Sequence, residues 1–477
     1  MPNDPFQKPH RQTRFANRRE FLRRTGGGFG MLALAGLLGQ EGLLAPSVSR
    51  ASEIAAPMAP KLPHFAAKAK SVIWLFMEGG PSGFDLFDPK PELQKRSGQR
   101  VSNIQTFFGN PGPLLRSPYG FKQYGQSGAW VCEKYPNIAK CVDDIAFIKS
   151  LHTDSNNHAP AMFQMNTGST RPGLPSAGAW VTYGLGSANQ NLPGFVVIAP
   201  GIAKGGALNW GNGFLPSAFQ GTLLRTKGQA ILNLDRPAGV DAARQRRMLD
   251  LAGTLNHAHL DQHPGEQELL GRIETFELAY RMQAEAPGAI DLSGESEATK
   301  NLYGIGQGKS DEFGRKCLMA RRLAERGVRF IQVYSNDEWD AHGDIESNHT
   351  ARCRETDIPI FGLLTDLKQR GLLDETLVIW GGEFGRMPVS EGGKGRDHNP
   401  HGFLSWMAGG GIKGGASHGQ TDEVGYAAVQ NPVSVPDFHA TILHLLGIQH
   451  DRLTFEHNGR MFRLTDVSGN VIKPILA

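Results

Sequence analysis

Residues 371–401 have the sequence GLLDETLVIWGGEFGRMPVSEGGKGRDHNPH, and this stretch decides the fold. Its apolar run at residues 376–380 has the length of a short strand that is buried on both faces of a sheet. Ionisable residues crowd the glycine-rich loop after it: Glu383, Arg386, Arg396, Asp397, His398 and His401. Open α/β sheets bind their ligands at the carboxyl ends of the strands. We therefore expect the chemistry of this protein to lie in that loop.

Further apolar runs predict other strands of the same sheet. Residues 71–77, 145–148, 194–198 and 328–334 have strand length and are bounded by turn-forming or helical segments. Apolar residues at helical spacing between positions 358 and 367 connect the last of these runs to the opening strand. The order strand, helix, strand predicts a parallel crossover. The sequence thus predicts an α/β protein with a mostly parallel sheet.

Acidic residues and a histidine follow the predicted strand at residues 328–334. Asp340 and His342 are two positions apart, and both can face one cation if the backbone turns between them. A solvated acidic loop would explain the carboxylates, but it would leave His342 unexplained. We expect this loop to meet the Glu383 loop at one edge of the sheet.

Two more loops carry candidate residues. Ser82 and Asp85 follow the first predicted strand, where they suit a functional site but are also ordinary turn residues. His158 directly precedes a predicted helix, and the N–H groups and dipole of a helix start favour phosphate or sulfate. Helix capping would explain the neighbouring Asp154 but not the histidine. We favour an anion-binding site at His158.

The N-terminal residues indicate export. Arg18 and Arg19 form a twin-arginine pair followed by Phe21 and Leu22, which is typical of a signal for the twin-arginine (Tat) translocon. The apolar run at residues 26–39 is shorter than the ~20 residues of a membrane span. A permanent N-terminal anchor is the alternative. We predict a periplasmic or secreted protein with no stable membrane span.

The predicted organisation is a signal peptide at residues 1–50, a linker at 51–70 and one domain at 71–477. A loop-rich insertion is expected near residues 200–300. The signal holds 8 of the 50 lysine and arginine residues but 3 of the 46 acidic ones, so the remainder is nearly neutral. No basic stripe with interleaved aromatic residues is present in it, which argues against a nucleic-acid partner.

Four cysteines are too few and too scattered for a disulfide scaffold, and none forms a C-x-x-C metal pair. Cys132 and Cys141 could form a bridge after export. We expect instead that all four cysteines are small buried residues.

Longer motifs span nearly the whole mature chain. They include GGPSGFDLFDPKP from Gly79, WDAH from Trp339, GGEFGR from Gly381 and VPDFHATILHLLGI from Val435. The sequence resembles an exported bacterial family, domain-of-unknown-function family 1501, a branch of the alkaline phosphatase and sulfatase-like superfamily. The resemblance implies an alkaline phosphatase-like three-layer α/β/α sandwich with a mostly parallel central sheet.

The same resemblance implies a divalent metal ion. In the superfamily, carboxylates and histidines at strand ends hold one or two such ions. By position, Glu78 and Gly79 match the Asp-Gly that ends the first strand in the superfamily, and Asp85 is a nearby alternative ligand. The predicted metal ligands are Asp85, Asp340, His342, Glu383, Asp397 and His398. Glu383 and Phe384 stand where the superfamily has Asp and His, so one histidine ligand is missing and the residues after them would compensate. The mixed oxygen and nitrogen donors suit Zn, Mn or Ca.

The candidate catalytic residues are His158, Arg386 and Ser82, and of these only His158 is implied by the resemblance. Residues 158–168, HAPAMFQMNTG, match the length of the sulfatase pattern C-x-P-S-R-x-x-x-x-T-G, which places His158 at the cysteine position. A histidine cannot become formylglycine, but it can be phosphorylated, hold a metal or act as an acid or base. Ser82 is the remaining hydroxyl candidate, and Arg386 would clamp the oxyanion.

The function predicted from these residues is a metal-dependent hydrolase of a phosphate or sulfate ester in the periplasm. Its substrate would be a small-molecule or polysaccharide ester. The missing nucleophile favours an alternative, a non-catalytic exported binding or assembly protein that keeps the hydrolase fold. A lyase or a phosphomutase-like transferase is a third hypothesis.

Overall fold

The structure is a computed structural model that describes residues 57–477, apart from residues 108, 110, 202, 227, 263–266, 336 and 337. One compact unit spans Ala56–Ala477. The predicted signal and the first six residues of the predicted linker lie outside the described residues. No helix among the residues described has both the length and the apolar character that crossing a bilayer requires.

The strands are numbered in chain order. They are β1 (Ser71–Phe76), β2 (Phe121–Tyr124), β3 (Ala129–Cys132), β4 (Ile145–His152), β5 (Phe195–Ala199), β6 (Thr222–Arg225), β7 (Phe330–Tyr334), β8 (Thr376–Gly381), β9 (Gly385–Arg386), β10 (His398–Asn399), β11 (Phe403–Ala408), β12 (Ser417–His418), β13 (Gln420–Thr421), β14 (Ala428–Gln430), β15 (Val433–Ser434), β16 (Phe455–His457) and β17 (Arg460–Phe462).

The α-helices are numbered in the same way. They are α1 (Gly83–Leu86), α2 (Pro91–Lys95), α3 (His158–Thr167), α4 (Ala177–Leu185), α5 (Ala242–Gln262), α6 (Gln267–Ile290), α7 (Glu297–Leu302), α8 (Asp311–Glu325), α9 (Ile345–Gln369) and α10 (Val435–Leu445).

The central sheet has the strand order β12-β4-β11-β8-β1-β7-β5-β6, and β15 also pairs with β4. Strand β1 lies between β7 and β8 and is parallel to both, with Phe76 opposite Tyr334 and Gly381. Strands β5 and β6 continue the parallel pairing, whereas β11 runs antiparallel to both β8 and β4. The predicted mostly parallel sheet is confirmed.

Alternating side chains of β1 bury both faces of the sheet. Ile73 and Leu75 lie in an apolar cluster with residues of α8 and α9. Val72, Trp74 and Phe76 lie in a second cluster with residues of α3, α4 and α10. Each fully buried apolar side chain of this size favours folding by about 1.5–3 kcal/mol. Helices thus cover both faces, and the predicted three-layer α/β/α architecture is confirmed.

Strand direction brings the candidate loops to one edge of the sheet. Because β7 and β8 are both parallel to β1, their carboxyl ends open on the same side. Strand β4 has the direction of β8, since both are antiparallel to β11. The residues just before β11 reach this edge too, because β11 starts there. The prediction that the Asp340 and Glu383 loops share an edge is confirmed.

Two predicted segments differ in detail from the structure. Residues 57–70, predicted as linker, lie hydrogen-bonded against the domain: the Lys61 N–H donates to the Leu185 carbonyl at 2.9 Å, and the Lys68 and Ala69 N–H groups donate to Leu445. Within the region near 200–300, predicted as loop-rich with a helix-like stretch from Gln245 to about Ala284, α5 and α6 form two long helices. All four cysteines are free and buried, as the sequence predicts.

Candidate metal centre

Three parts of the chain bring imidazoles to the carboxyl edge of the sheet. Asp340 and His342 follow β7, and His158 is the first residue of α3. His398 lies in β10, which pairs with β9 as a two-residue antiparallel ladder just before β11. We call His158, Asp340, His342 and His398 the histidine cluster.

Two glycines allow the loops to approach one another at this edge. Gly79 has a φ of +107°, and a Cβ there would lie 2.6 Å from the Asp340 backbone nitrogen. A Cβ at Gly395 would lie 1.6 Å from the His342 carbonyl oxygen. Any other residue would push the loop away, so both positions require glycine.

The ligand atoms of the histidine cluster all lie within 4.8 Å of one another. Asp340 is at its centre, because its Oδ2 is 3.1 Å from His158 Nε2 and its Oδ1 is 3.0 Å from His342 Nε2. The same Oδ1 is 3.3 Å from His398 Nε2. Three Nε2 atoms therefore converge on one carboxylate.

Each imidazole of the histidine cluster is held from behind through Nδ1. His158 Nδ1 is 2.6 Å from Glu383 Oε1, and His342 Nδ1 is 2.6 Å from Glu391 Oε2. His398 Nδ1 is 2.7 Å from the Asn156 carbonyl oxygen. We assign a proton to each Nδ1, because all three partners are acceptors. Each Nε2 then faces Asp340: a protonated ring donates from it to the carboxylate, and a neutral ring offers its lone pair there to a cation, which is the arrangement of metal-binding histidines.

These lone pairs repel one another unless a cation or protons lie between them. His342 Nε2 and His398 Nε2 are 2.9 Å apart. The hydrogen bond to Asp340 raises the pKa of His342. Burial lowers the pKa of His158, but hydrogen bonds to Asp340 and Glu383 outweigh it, so that the pKa is raised. A divalent ion at this point would compete with protons for the Nε2 atoms.

Burial decides the direction of the pKa shift at His398, whereas hydrogen bonds decide it at Asp340. It lowers the pKa of His398. It would raise the pKa of Asp340, but the hydrogen bonds from the three histidines keep that pKa well below its ordinary value. The carboxylate is therefore ionised and available to a cation.

The structure places Glu383 behind His158 and outside the set of converging ligand atoms. Its Oε1 and Oε2 accept the Gly79 N–H at 3.0 and 3.2 Å, and Oε1 also accepts from His158 Nδ1. The side chain is fully buried. Glu383 is therefore not among the converging ligand atoms, and its contacts are those of a residue that orients His158. Its role as a metal ligand stays a prediction.

Asp85 and Ser82 lie outside the histidine cluster. Asp85 Oδ2 is 2.8 Å from Arg396 Nε, and both side chains are fully buried. The Ser82 hydroxyl donates to Asp85 Oδ2 at 2.6 Å, and the Ser82 N–H donates to His349 Nε2 at 2.9 Å. Asp85 is thus engaged in a buried ion pair and Ser82 in a hydrogen bond to it, and neither is among the residues that converge on Asp340. Their roles as metal ligand and nucleophile stay predictions.

Arg386 is a positioning residue. Its fully buried guanidinium donates through Nε to the Gly80 carbonyl at 2.9 Å and through Nη1 to the Arg396 carbonyl at 3.0 Å. Its Nη2 donates to the Gly79 carbonyl and, at 2.7 Å, to Asp340 Oδ1. All three guanidinium nitrogens thus have acceptors within the protein, and the role of Arg386 as an oxyanion clamp stays a prediction.

Asp397 lies beside the histidine cluster. Its Oδ1 accepts the His398 N–H at 2.7 Å. A ligand atom of its carboxylate is within 4.8 Å of those of His342 and Glu391, and this second group shares only His342 with the cluster. The structure therefore brings Asp397 close to His342 but not into the cluster that converges on Asp340.

Two residues near the site, Glu391 and Lys204, were not singled out from the sequence, whereas Glu78 was matched only by its position. Glu391 holds His342, but it lies among glycines with no spacing that marks it. The Lys204 N–H donates to Glu78 Oε1 at 2.8 Å, and Lys204 Nζ is 3.4 Å from Asp340 Oδ2. Burial, with a contribution from nearby Glu383, raises the pKa of Glu78 to about 7. In the sequence, the position of Glu78 just after β1 was the one feature that pointed to a role in the site.

A comparison with models of known protein families identifies the family of this chain. A family model described as "Protein of unknown function (DUF1501)" matches residues 69–476. The chain belongs to the DUF1501 family. This confirms the family predicted from the motifs. A search of curated proteins finds no match.

Several solved structures are similar to this DUF1501 chain. The PsFucS1 sulfatase from Pseudoalteromonas sp. is 14% identical, with a TM-score of 0.34 and coverage of 79% of this chain and 68% of that chain. The alkaline phosphatase from the Antarctic bacterium TAB5 is 12% identical, with a TM-score of 0.30 and coverage of 72% and 92%. The lipoteichoic acid synthase LtaP from Listeria monocytogenes is 10% identical, with a TM-score of 0.32 and coverage of 89% and 82%. At these values the likenesses carry no argument about activity.

Proposed function

We propose that this protein is a metal-dependent hydrolase of a phosphate or sulfate ester. The observation that carries the proposal is the convergence of three Nε2 atoms on Asp340 while an acceptor holds each Nδ1. Three imidazole nitrogens and one carboxylate oxygen suit Zn, and they suit Mn less closely. Calcium takes oxygen ligands, so this donor set argues against the third metal that the sequence allowed.

A divalent ion at the histidine cluster would polarise an ester oxygen and lower the pKa of a water molecule. The side chains around the cluster would hold its geometry: Glu383 and Glu391 orient two imidazoles, and Arg386 fixes Asp340. Glu78, with a pKa of about 7, is the candidate to accept or donate a proton near neutral pH.

We also propose that the family is a branch of the alkaline phosphatase and sulfatase-like superfamily, and that the Tat translocon exports this chain to the periplasm or beyond. The twin-arginine pattern at residues 17–24 and the motifs from Gly79 to Val435 support this proposal. The substrate would be a small-molecule or polysaccharide ester.

A non-catalytic binding or assembly protein with a bound metal is the second candidate. Two observations favour it. The Ser82 hydroxyl is buried and bonded to Asp85, so it is not accessible as a nucleophile. His158 occupies the nucleophile position, but both of its ring nitrogens face carboxylates.

Metal analysis and ester assays on the purified full-length chain test the proposal. We expect about one divalent ion per chain. Aryl phosphate or aryl sulfate turnover should be lost with a chelator, be restored by zinc, and be absent in His158→Ala and Asp340→Ala. Stoichiometric metal without turnover would support the binding protein. Turnover that neither the chelator nor these substitutions affect would contradict both candidates.

A further inference from the structure

Three buried amide side chains form a hydrogen-bonded chain behind the histidine cluster. Gln332 Nε2 donates to Asn166 Oδ1 at 2.7 Å, and Asn166 Nδ2 donates to Asn209 Oδ1 at 3.3 Å. Asn209 Nδ2 then donates to the Lys204 carbonyl oxygen at 2.7 Å. The three side chains are 1%, 2% and 0% exposed, respectively. We call Gln332, Asn166 and Asn209 the amide chain.

The amide chain fixes the backbone of Lys204. Buried amides cost free energy unless they are paired, and apolar residues of the same shape would fill this space without that cost. Their presence therefore indicates that the position of the attached loop matters. The Lys204 N–H is held from the opposite side by Glu78 Oε1. Gly205 has a φ of +81°, and a Cβ there would lie 2.8 Å from the Phe163 ring.

The side chain of Lys204 reaches the histidine cluster from the solvent side. Its Nζ is 3.0 Å from Glu338 Oε2 and 3.4 Å from Asp340 Oδ2. Within the described part of the chain, Lys204 and Arg386 are the lysine and arginine side chains in ion pairs with Asp340. Arg386 is fully buried, whereas 29% of the Lys204 side chain is exposed. Lys204 can therefore meet a ligand that arrives from solvent.

We propose that Lys204 is the anion-binding residue of this site. Its ammonium donates to a non-bridging oxygen of a tetrahedral oxyanion, either the ester group of the substrate or the inorganic anion released from it. This assignment rests on the proposed function. An ammonium has three rotatable donors and no fixed plane, so it suits the oxygens of phosphate and of sulfate alike.

The ammonium would exchange its contacts with Glu338 and Asp340 for contacts with the anion. Only the side chain of Lys204 moves in this exchange, because its backbone N–H and its carbonyl both stay hydrogen-bonded. The carboxylate of Asp340 stays paired with Arg386 at 2.7 Å when the lysine leaves. The loop after β5 thus supplies the cationic group that the sequence had assigned to Arg386.

Anion titration of the zinc-loaded full-length chain tests the proposal. Inorganic phosphate and sulfate are titrated separately by calorimetry into wild type, Lys204→Met, Lys204→Arg and Lys122→Met. Lys122 is an exposed lysine on β2 and serves as the matched control. Loss of a hydrogen bond to a charged group should weaken binding by about 10- to 100-fold in Lys204→Met. Lys204→Arg should recover most of the affinity, and Lys122→Met should match wild type.

Zinc content is measured on every variant, and all four proteins should retain the ion. Affinity of Lys204→Met equal to that of wild type for both anions would overturn the proposal, as would a wild type that binds neither. A difference between the phosphate and sulfate titrations identifies which oxyanion the site accepts. Binding is measured without turnover. Lys204-dependent binding without hydrolysis would overturn the hydrolase alone, and hydrolysis with Lys204-independent binding would overturn this inference alone.

Discussion

The histidine cluster and a second group of charges, which we call the arginine network, use ionisable residues in different ways. The arginine network consists of Arg321, Arg322, Arg370, Glu295, Glu325 and Asp366. Asp366 shows its pattern, because its oxygens are 2.9 Å from Arg321 Nε and 2.7 Å from Arg370 Nε. In this network each carboxylate meets a guanidinium. In the histidine cluster, by contrast, three imidazoles direct their Nε2 atoms at one carboxylate.

This difference in charge pairing indicates which of the two groups is suited to bind a metal ion. The arginine network has three guanidinium groups and three carboxylates, so it balances its own charge. In the histidine cluster, Arg386 and Lys204 contact Asp340, but His342 Nε2 and His398 Nε2 face each other at 2.9 Å. The arginine network is therefore a structural element, and the histidine cluster has the geometry of a cation site.

The same substitution made in both groups tests this contrast, and the larger effect is expected at the histidine cluster. Asp340→Asn removes the carboxylate on which the three imidazoles converge. Because the loss of a residue that merely orients a ligand already costs about 10- to 100-fold in metal affinity, we expect a loss above about 100-fold here. Calorimetric zinc titration measures it. Wild-type affinity in Asp340→Asn would remove Asp340 from the site.

Asp366→Asn is the matched change in the arginine network. It leaves Arg321, whose side chain is 2% exposed, without one of its carboxylate partners. Breaking a buried ion pair should lower the free energy of unfolding by about 3–5 kcal/mol. Urea denaturation measures the loss, and metal content should not change. Loss of the metal together with stability would mean that the two groups are not separate in function.

His439 provides a buried histidine with no carboxylate beside it. Its Nε2 donates to the Met165 carbonyl at 2.8 Å, and burial lowers its pKa from 6.5 to about 4. The unfolded chain takes up a proton below pH 6.5, whereas the folded chain does so only near pH 4. The stability that neutral His439 contributes is therefore complete above pH 6.5 and is lost as pH falls towards 4.

Replacement of His439 by Gln should reduce this acid sensitivity. We expect the loss of unfolding free energy between pH 7 and pH 4.5 to be about 2–3 kcal/mol smaller in His439→Gln than in wild type. Denaturation at the two pH values provides the measurement. An equal loss in both proteins would show that His439 is not the group that titrates.

Glu391→Gln tests the support behind one imidazole and should have the smallest effect. The amide keeps the size of the side chain but removes the negative charge 2.6 Å from His342 Nδ1. Zinc affinity should fall by about 10-fold, at the lower end of the range for such orienting groups. The free energy of unfolding of the metal-free protein serves as the control. A zinc affinity equal to that of wild type would show that Glu391 does not orient His342.

The sequence predicted the sheet and its functional edge because both depend on local patterns. The apolar runs of β1, β7 and β8 marked buried strands, and Asp340 and His342 stand directly after one of them. His158 was predicted as an anion-site residue from its place at a helix start. The structure adds that its Nε2 is one of the three imidazole nitrogens that converge on Asp340.

The roles of other charged residues depend on partners far away in the sequence. Asp85 forms a buried ion pair with Arg396, which lies 311 positions later in the sequence. This partner engages a carboxylate that the sequence offered as a metal ligand. Arg386 donates to the carbonyls of Gly79 and Gly80 more than 300 positions earlier. No residue spacing indicates such contacts, so the sequence could nominate these side chains but could not assign their roles.

X-ray absorption spectroscopy of the zinc-loaded full-length chain tests the metal centre most directly. The expected spectrum shows one zinc with three imidazole nitrogens and one carboxylate oxygen at about 2.0–2.1 Å. His342→Ala should lose one nitrogen from that coordination shell. A zinc surrounded only by oxygen atoms, or a spectrum that is the same in wild type and His342→Ala, would contradict the assignment of the histidine cluster as a metal site.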